Sequence, residues 1–434
     1  MLSFAVTVIA FAPRLRVAAP AARRYGRHVR MASTLPTTPT TSTPKSFEEL
    51  DTSSSLADRF VMQRTEEIAE RGITISMYNH EPTGAQIMLI DAPDENKCFS
   101  CNFRTLPKDN TGVPHILEHS VLCGSTRYPS KEPFVDLLKG SLKTFLNAMT
   151  AADKTMYPVA SQNKQDFFNL VNVYMDACLN PRILDPEHGP RILKQEGWHY
   201  MLDEIDAPIR YSGVVYNEMK GVYSQPDQTN AKAVRHALFR GHPVYSIDSG
   251  GDPRAIPTLG YEAFASFHQT YYHPSNAFFY MYADPTELPH AERLALLDEY
   301  LQAYEAPAAV EAIPWQPLAD QPYEVTKAYA VDADAAAAPT QFVTLAWLLN
   351  TAPLEPKTKL ALSVLNDLLL GLPTAGLQVL YACMHACMHA HSHTIHTCVH
   401  TYVRTCSSLA HLGLAETSPR VAYVRMYVGP YAYA

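Results

Sequence analysis

The residues with the clearest chemical potential are His115, Glu118 and His119, in the order H-x-x-E-H. On an α-helix each residue advances about 100°, so the two histidines lie on one face, one turn apart. Two imidazoles so placed can grip one divalent cation. Glu118 falls on the shoulder of that face, near an ion without needing to bind it. That order is one used for metal-assisted hydrolysis; the alternative is a core helix with two satisfied histidines. A catalytic zinc site needs a third protein ligand and an open position. Glu187, Glu196, Glu204 and Glu218 all lie downstream, and spacing alone does not choose among them.

The elements that must position these groups are legible from periodicity. Residues 114–123 and 132–140 read as helices. Residues 73–79, 84–91 and 97–105 read as three strands of a meander, with turn chemistry between them. Leu56 to Arg71 reads as a helix, Thr155 to Ala160 as a strand, and 163–179 as a helix with one apolar face (Phe167, Leu170, Val171, Tyr174, Met175, Cys178) stopped by Asn180-Pro181. Helices are expected at 214–223 and Glu292 to Tyr304, and a strand at Asn276 to Ala283. The mixture is α+β.

Composition bounds the rest. The chain has 434 residues, 47% hydrophobic and 18% charged, with a net charge of −8. Such a chain can bury a core, and its acidity argues against nucleic acid or an anionic membrane as partner. No run of 18 apolar residues predicts a membrane span. Residues 1–47 hold six arginines and Lys45 and no acid. They read as an organelle transit peptide followed by a Ser/Thr/Pro linker. Globular sequence then runs from 48 to 304. Residues 305–323 are a Pro/Ala-rich linker, and 324–373 open a second domain with a strand (342–349) and a helix (357–370). Residues 374–434 form an aberrant tail whose 381–406 stretch is dense in His and Cys. A zinc module needs a small core between its ligands. The tract has none, which favours translated simple-repeat sequence over a metal-buffering segment. Cys98-x-x-Cys101 reads as structural.

Several longer blocks surround the H-x-x-E-H motif. They are HILEHSVLCGSTRYPSKEPF, SLKTFLNAMTAADKTMYPVAS, QEGWHY, YSGVVYNEMKGVYSQPD, SGGDP and YYHPSNA. In this order they resemble the organellar oligopeptidase branch of the pitrilysin (M16) metallopeptidases, over about residues 46–372. The resemblance implies an M16 α+β domain with a mainly antiparallel sheet packed against helices, and the start of a second such domain. It implies one Zn²⁺ per chain held by His115, His119 and Glu218, with Glu118 as general base. Asn147 and Ala148 would belong to a substrate-pairing edge strand, and Glu196 is a candidate for orienting a zinc ligand. The implied activity is endoproteolysis of short unstructured peptides, including cleaved targeting presequences, in the mitochondrial matrix or chloroplast stroma. Family members are about twice as long or more, and their C-terminal half supplies an Arg and a Tyr near the zinc that have no counterpart here. The chain therefore reads as truncated. The alternative function is a catalytically impaired fragment that binds peptides or depends on a partner chain for the missing half.

Overall fold

The computed structural model describes residues 50, 52, 54–130, 133–305, 310–317, 323–329, 342–348, 350, 352–368 and 421–428. The transit peptide expected at 1–47 and the His/Cys tract at 381–406 lie outside them. The described chain divides into two units. The larger comprises residues up to Val222 and Pro243–Ala312; the smaller comprises Tyr223–His242 and residues from Ile313 onward. The sequence reading kept 48–304 whole.

The larger unit begins with α1 (Ser54–Arg59), β1 (Phe60–Ile68), β2 (Ile73–His80), β3 (Ala85–Asp91) and β4 (Lys97–Arg104). Next come α2 (Val113–Val121), α3 (Pro133–Gly140), β5 (Lys143–Leu146), β6 (Met149–Thr150), β7 (Lys154–Ser161), α4 (Lys164–Leu179) and α5 (Gly189–Glu196). A short β8 (His199–Met201) and β9 (Arg210–Ser212) lead to α6 (Val214–Ser224). Helix α7 (Pro226–Leu238) belongs to the smaller unit. After Pro243 the larger unit resumes with α8 (Tyr261–Tyr271), β10 (Ala277–Ala283) and α9 (His290–Leu301).

Alternation sets the main sheet. Phe99, Cys101 and Phe103 of β4 and Ala277, Phe279, Met281 and Ala283 of β10 point to one buried face, while their neighbours are half-exposed. That period of two is the signature of a sheet packed on helices along one face. The strand order is β1-β2-β3-β10-β4-β7-β5, with β6 also on β7. All pairs are antiparallel except β3 with β10.

Three expectations are corrected. The helix expected over 56–71 ends at Arg59, and Phe60–Ile68 becomes an edge strand paired from Phe60↔His80 to Ile68↔Ile73. The Gln, Arg and Glu residues of this stretch favour a helix in isolation, but the ladder with β2 overrides that propensity. The meander is also interrupted. β10 inserts between β3 and β4, pairing Phe279 with Ile87 on one side and Cys101 on the other. Such a partner arrives far along the chain, and local pattern does not reveal it. Finally, α4 is buried on nearly every side. Its Asn172 and Asp176 are enclosed with the apolar residues. They are satisfied internally: Tyr300 Oη donates to Asn172 Oδ1 at 2.8 Å, and Asp176 Oδ2 accepts from Arg127 N at 2.7 Å.

The core carries a pH-sensitive element. His268 of α8 is fully enclosed; its Nε2–H donates to Cys178 O at 2.9 Å, and Nδ1 has no partner among the described residues. Burial pushes its pKa from 6.5 down to about 4. The folded chain refuses a proton that the unfolded chain accepts. Stability is therefore complete above pH 6.5 and is lost as pH falls toward 4. The expected loss is about 3 kcal/mol. His268→Gln keeps a donor for Cys178 O but does not titrate. Denaturant melts at pH 7 and 4.5 should show a shallower pH dependence for the variant.

The smaller unit has a three-stranded sheet, ordered β11 (Tyr323–Tyr329), β13 (Val421–Val428), β12 (Phe342–Trp347). β13 runs parallel to β11 and antiparallel to β12. Residues 421–428 thus form a strand inside the stretch 374–434 that was expected to be an aberrant tail. Helix α7 covers this sheet with Ala233, Val234, Ala237 and Leu238, packed with Tyr329 and Ala346. Asn230 Nδ2 donates to Thr344 Oγ1 at 3.0 Å beneath that cover. Helix α10 (Pro356–Asn366) buries no side chain. No helix among the described residues is long and apolar enough to cross a membrane.

Candidate metal centre

His115, Glu118 and His119 all lie on α2, as their spacing required. The helix starts at Gly112, in the left-handed region with φ +69°. A side chain there is strained. It would also place its Cβ 2.7 Å from Gly250 O and Gly251 Cα. The backbone of 248–252 is pinned against this helix start: Asp252 N donates to Asn110 O and Asp248 N to Asn110 Oδ1, both at 2.8 Å. The docking has a chemical consequence. His115 Nδ1–H donates to Gly250 O at 3.1 Å, so in the neutral imidazole Nε2 is the nitrogen presented for ligation.

Glu196 ends α5 and Glu218 lies in the middle of α6. The two helices are brought together at Gly213, where an added Cβ would lie 2.2 Å from Gly197 O. His115 Nε2 stands 3.6 Å from Glu218 Oε1, and His119 Nε2 stands 3.8 Å from Glu218 Oε2. One ligand atom from each of His115, His119 and Glu218 falls within 4.8 Å of the others. Glu196 Oε2 faces the other nitrogen of His119, Nδ1, at 3.6 Å. Burial draws the His119 imidazole pKa down, but Glu196, Glu118 and Glu218 together hold it above its ordinary value. This is an environment built for positive charge. His115, Glu118 and Glu196 are buried; His119 is partly open and Glu218 about half exposed.

The donor set fits a tetrahedral zinc. Ligand bonds of about 2.0–2.1 Å require donor atoms roughly 3.3–3.4 Å apart. The 3.6 and 3.8 Å approaches run to different Glu218 oxygens, and with one atom from each residue the set lies within 4.8 Å, so the donors would close by up to about 1.5 Å around one ion. Three protein donors would leave one position for water. His115 is oriented by a carbonyl and His119 by a carboxylate, as zinc-binding imidazoles usually are.

Asn147 and Ala148 lie at the far edge of the sheet but not within a regular strand. They fall in a break between β5 and β6, both of which pair with β7. The opposing residue explains the break. Asn147 N donates to Pro158 O at 3.1 Å, but Pro158 has no N–H to return. Asn147 O instead accepts from Tyr174 Oη at 3.3 Å. The edge then reaches α2: Thr150 Oγ1 donates to Glu118 Oε2 at 2.5 Å.

Sequence reasoning missed Gly112, Gly250 and Thr150 as site residues. SGGDP and FLNAMT stood out as blocks, but only the folded register puts a carbonyl of one and a hydroxyl of the other beside α2. Cys98 and Cys101 lie on opposite faces of β4, three residues apart. Burial pushes the Cys101 thiol well above its ordinary value, which keeps it protonated.

The Gly112 geometry makes a prediction. Gly112→Ala should destabilise the larger unit by at least about 1–2 kcal/mol from left-handed strain alone. It should also push the 248–252 backbone away from His115. Thermal unfolding with a zinc titration should show a lower Tm together with weaker metal binding.

Comparisons with known proteins agree with the fold. Residues 104–201 match the family described as insulinase (peptidase family M16), and 258–392 match the peptidase M16 inactive domain. Over 304 residues the chain is 48% identical to presequence protease 1, chloroplastic/mitochondrial, of Arabidopsis thaliana; the match covers 70% of this chain and 28% of that protein. It is also 48% identical over 246 residues to protein HypA of Clostridium perfringens, covering 57% of this chain and 25% of that one. The chain thus spans about a quarter of the length of these relatives. Among solved structures, a protease from Helicobacter pylori aligns with a TM-score of 0.51 at 16% identity, over 68% of this chain and 65% of that one, a likeness of fold. With two M16 segments in order and this level of identity, the chain is a presequence-protease homologue of the M16 family.

Proposed function

We propose that the chain is a zinc metalloendopeptidase of short unstructured peptides, cleaved organellar presequences among them. The observation that carries this reading is the convergence of His115, His119 and Glu218 beside the buried Glu118. His115, His119 and Glu218 would hold one Zn²⁺. A bound zinc supplies Lewis-acid chemistry, acidifying water toward a pKa of about 7 and polarising a peptide carbonyl.

The protein's own groups do the rest. Glu118 holds Oε2 on the Thr150 hydroxyl and keeps Oε1 available to take a proton from water and return it to the leaving amine. Gly250 O and Glu196 keep the two imidazoles turned so that both Nε2 atoms face Glu218. The exposed edge at 143–150 would receive the peptide as an added strand. Main-chain pairing of that kind holds a peptide while reading little of its sequence, and it requires an extended, unfolded segment. In this reading 48–304 holds the peptidase domain and 324–373 part of a second M16-like domain. The acid-free basic leader and the chloroplastic/mitochondrial name of the Arabidopsis relative support a mitochondrial or chloroplast address; the bacterial relative, at the same identity, does not point to an organelle.

The test is a digest of an unstructured basic peptide and of a stably folded protein by the purified chain, followed by mass spectrometry. Cleavage of the peptide alone is expected. Cleavage of neither would overturn the peptidase reading and favour a peptide-binding fragment that works only with a partner chain.

A further inference from the structure

We infer that Thr150 is the residue that aims the Glu118 carboxylate, and that it acts from the same edge on which a peptide would pair. The inference deepens the peptidase reading and rests on it.

Glu118 is buried, with 7% of its surface exposed. Among the described residues it makes one hydrogen bond, from Thr150 Oγ1 to Oε2 at 2.5 Å. A buried carboxylate with a single donor depends on that donor for its orientation. Without it, neither oxygen keeps a donor among the described residues, and the side chain has reason to turn toward water.

Thr150 is itself firmly placed. It pairs with Thr155 across β6 and β7, and Ala151 N donates to Lys154 O at 2.8 Å to close the turn between them. Thr155 is fully buried and shares a hydroxyl contact with Thr105 at 2.8 Å. Thr105 N in turn donates to Asp153 O at 3.1 Å. The hydroxyl therefore sits on a hairpin anchored at its closed end, and β-branching further narrows its rotamers.

The direction of the bond matters chemically. Thr150 has one hydroxyl proton, and donating it to Oε2 fixes that oxygen as an acceptor. Oε1 is left for the proton of the reaction. Thr150 also stands two residues from Ala148, so the sheet edge that would take the peptide is the edge that aims the base. Thr150 is thus a positioning residue. Its loss should act on kcat, whereas changes in the pairing edge should act on KM.

The test compares Thr150→Val and Thr150→Ser in the full chain. Valine keeps the shape and the strand preference and removes the donor; serine keeps the donor. With zinc content equal across the set, Thr150→Val should lower kcat on the order of 10²-fold with KM little changed, the scale of a misplaced catalytic group. Thr150→Ser should restore most of the rate. Should Thr150→Val not fold, Thr150→Ala carries the same expectation. Crystal structures supply a second readout independent of turnover. Glu118 should leave its position in the valine variant and keep it in the serine variant. A wild-type kcat in Thr150→Val, or an unmoved Glu118 carboxylate, would overturn the inference. Absence of turnover in the wild-type chain would instead overturn the peptidase reading, and the Glu118 position in the crystal structures would still decide the role of Thr150.

Discussion

Glu118→Gln is expected to retain one zinc per chain and to lose about 10²–10⁴-fold in peptide turnover, the usual contribution of a general base. The substitution preserves size and the ability to accept from Thr150 Oγ1. It removes only the capacity to take a proton. Glu118 is not among the three residues that converge as ligands, so metal content should not change. Metal analysis alongside kcat separates the two effects. A variant that loses zinc would mean that Glu118 is a ligand, and one that keeps its rate would mean that another group takes the proton.

The second large effect lies in the ligands. His119→Ala removes one of three donors from the cluster and should reduce zinc affinity by more than the roughly 10–100-fold that loss of an outer partner costs. Glu196→Gln is the comparison. Glu196 faces His119 Nδ1 rather than the other two ligands, so its loss should fall within that 10–100-fold range. His119 and Glu218 are both partly open to solvent, so alanine or glutamine there should leave the fold intact. Competition against a chromophoric chelator gives both affinities on one scale. Equal losses for His119→Ala and Glu196→Gln would place Glu196 among the ligands.

How much of this was legible in the sequence follows from the range of each interaction. His115 and His119 are one turn apart on one helix, so spacing alone predicted their shared face. Glu196 and Glu218 needed the resemblance, because their approach to α2 depends on the packing of α5 and α6 at Gly213. Thr150 and Gly250 O were not visible. Their roles come from sheet register and from a loop pressed on a helix start, neither of which leaves a periodic mark. The same reason explains the fold. Strands β2, β3 and β4 were readable from alternation, but the insertion of β10 between β3 and β4 is a long-range pairing. The stretch 60–68 misled because its side chains are nearly all exposed, so no apolar pattern marked it as a strand.

In the proposed function one zinc at His115, His119 and Glu218 would make this chain a peptidase. The most direct test is to strip the purified chain of metal and add zinc back stepwise while following cleavage of an unstructured peptide. The stripped protein is expected to cleave nothing, and activity is expected to rise linearly and level off at one zinc per chain. Full zinc uptake with no cleavage, or activity indifferent to zinc, would contradict it.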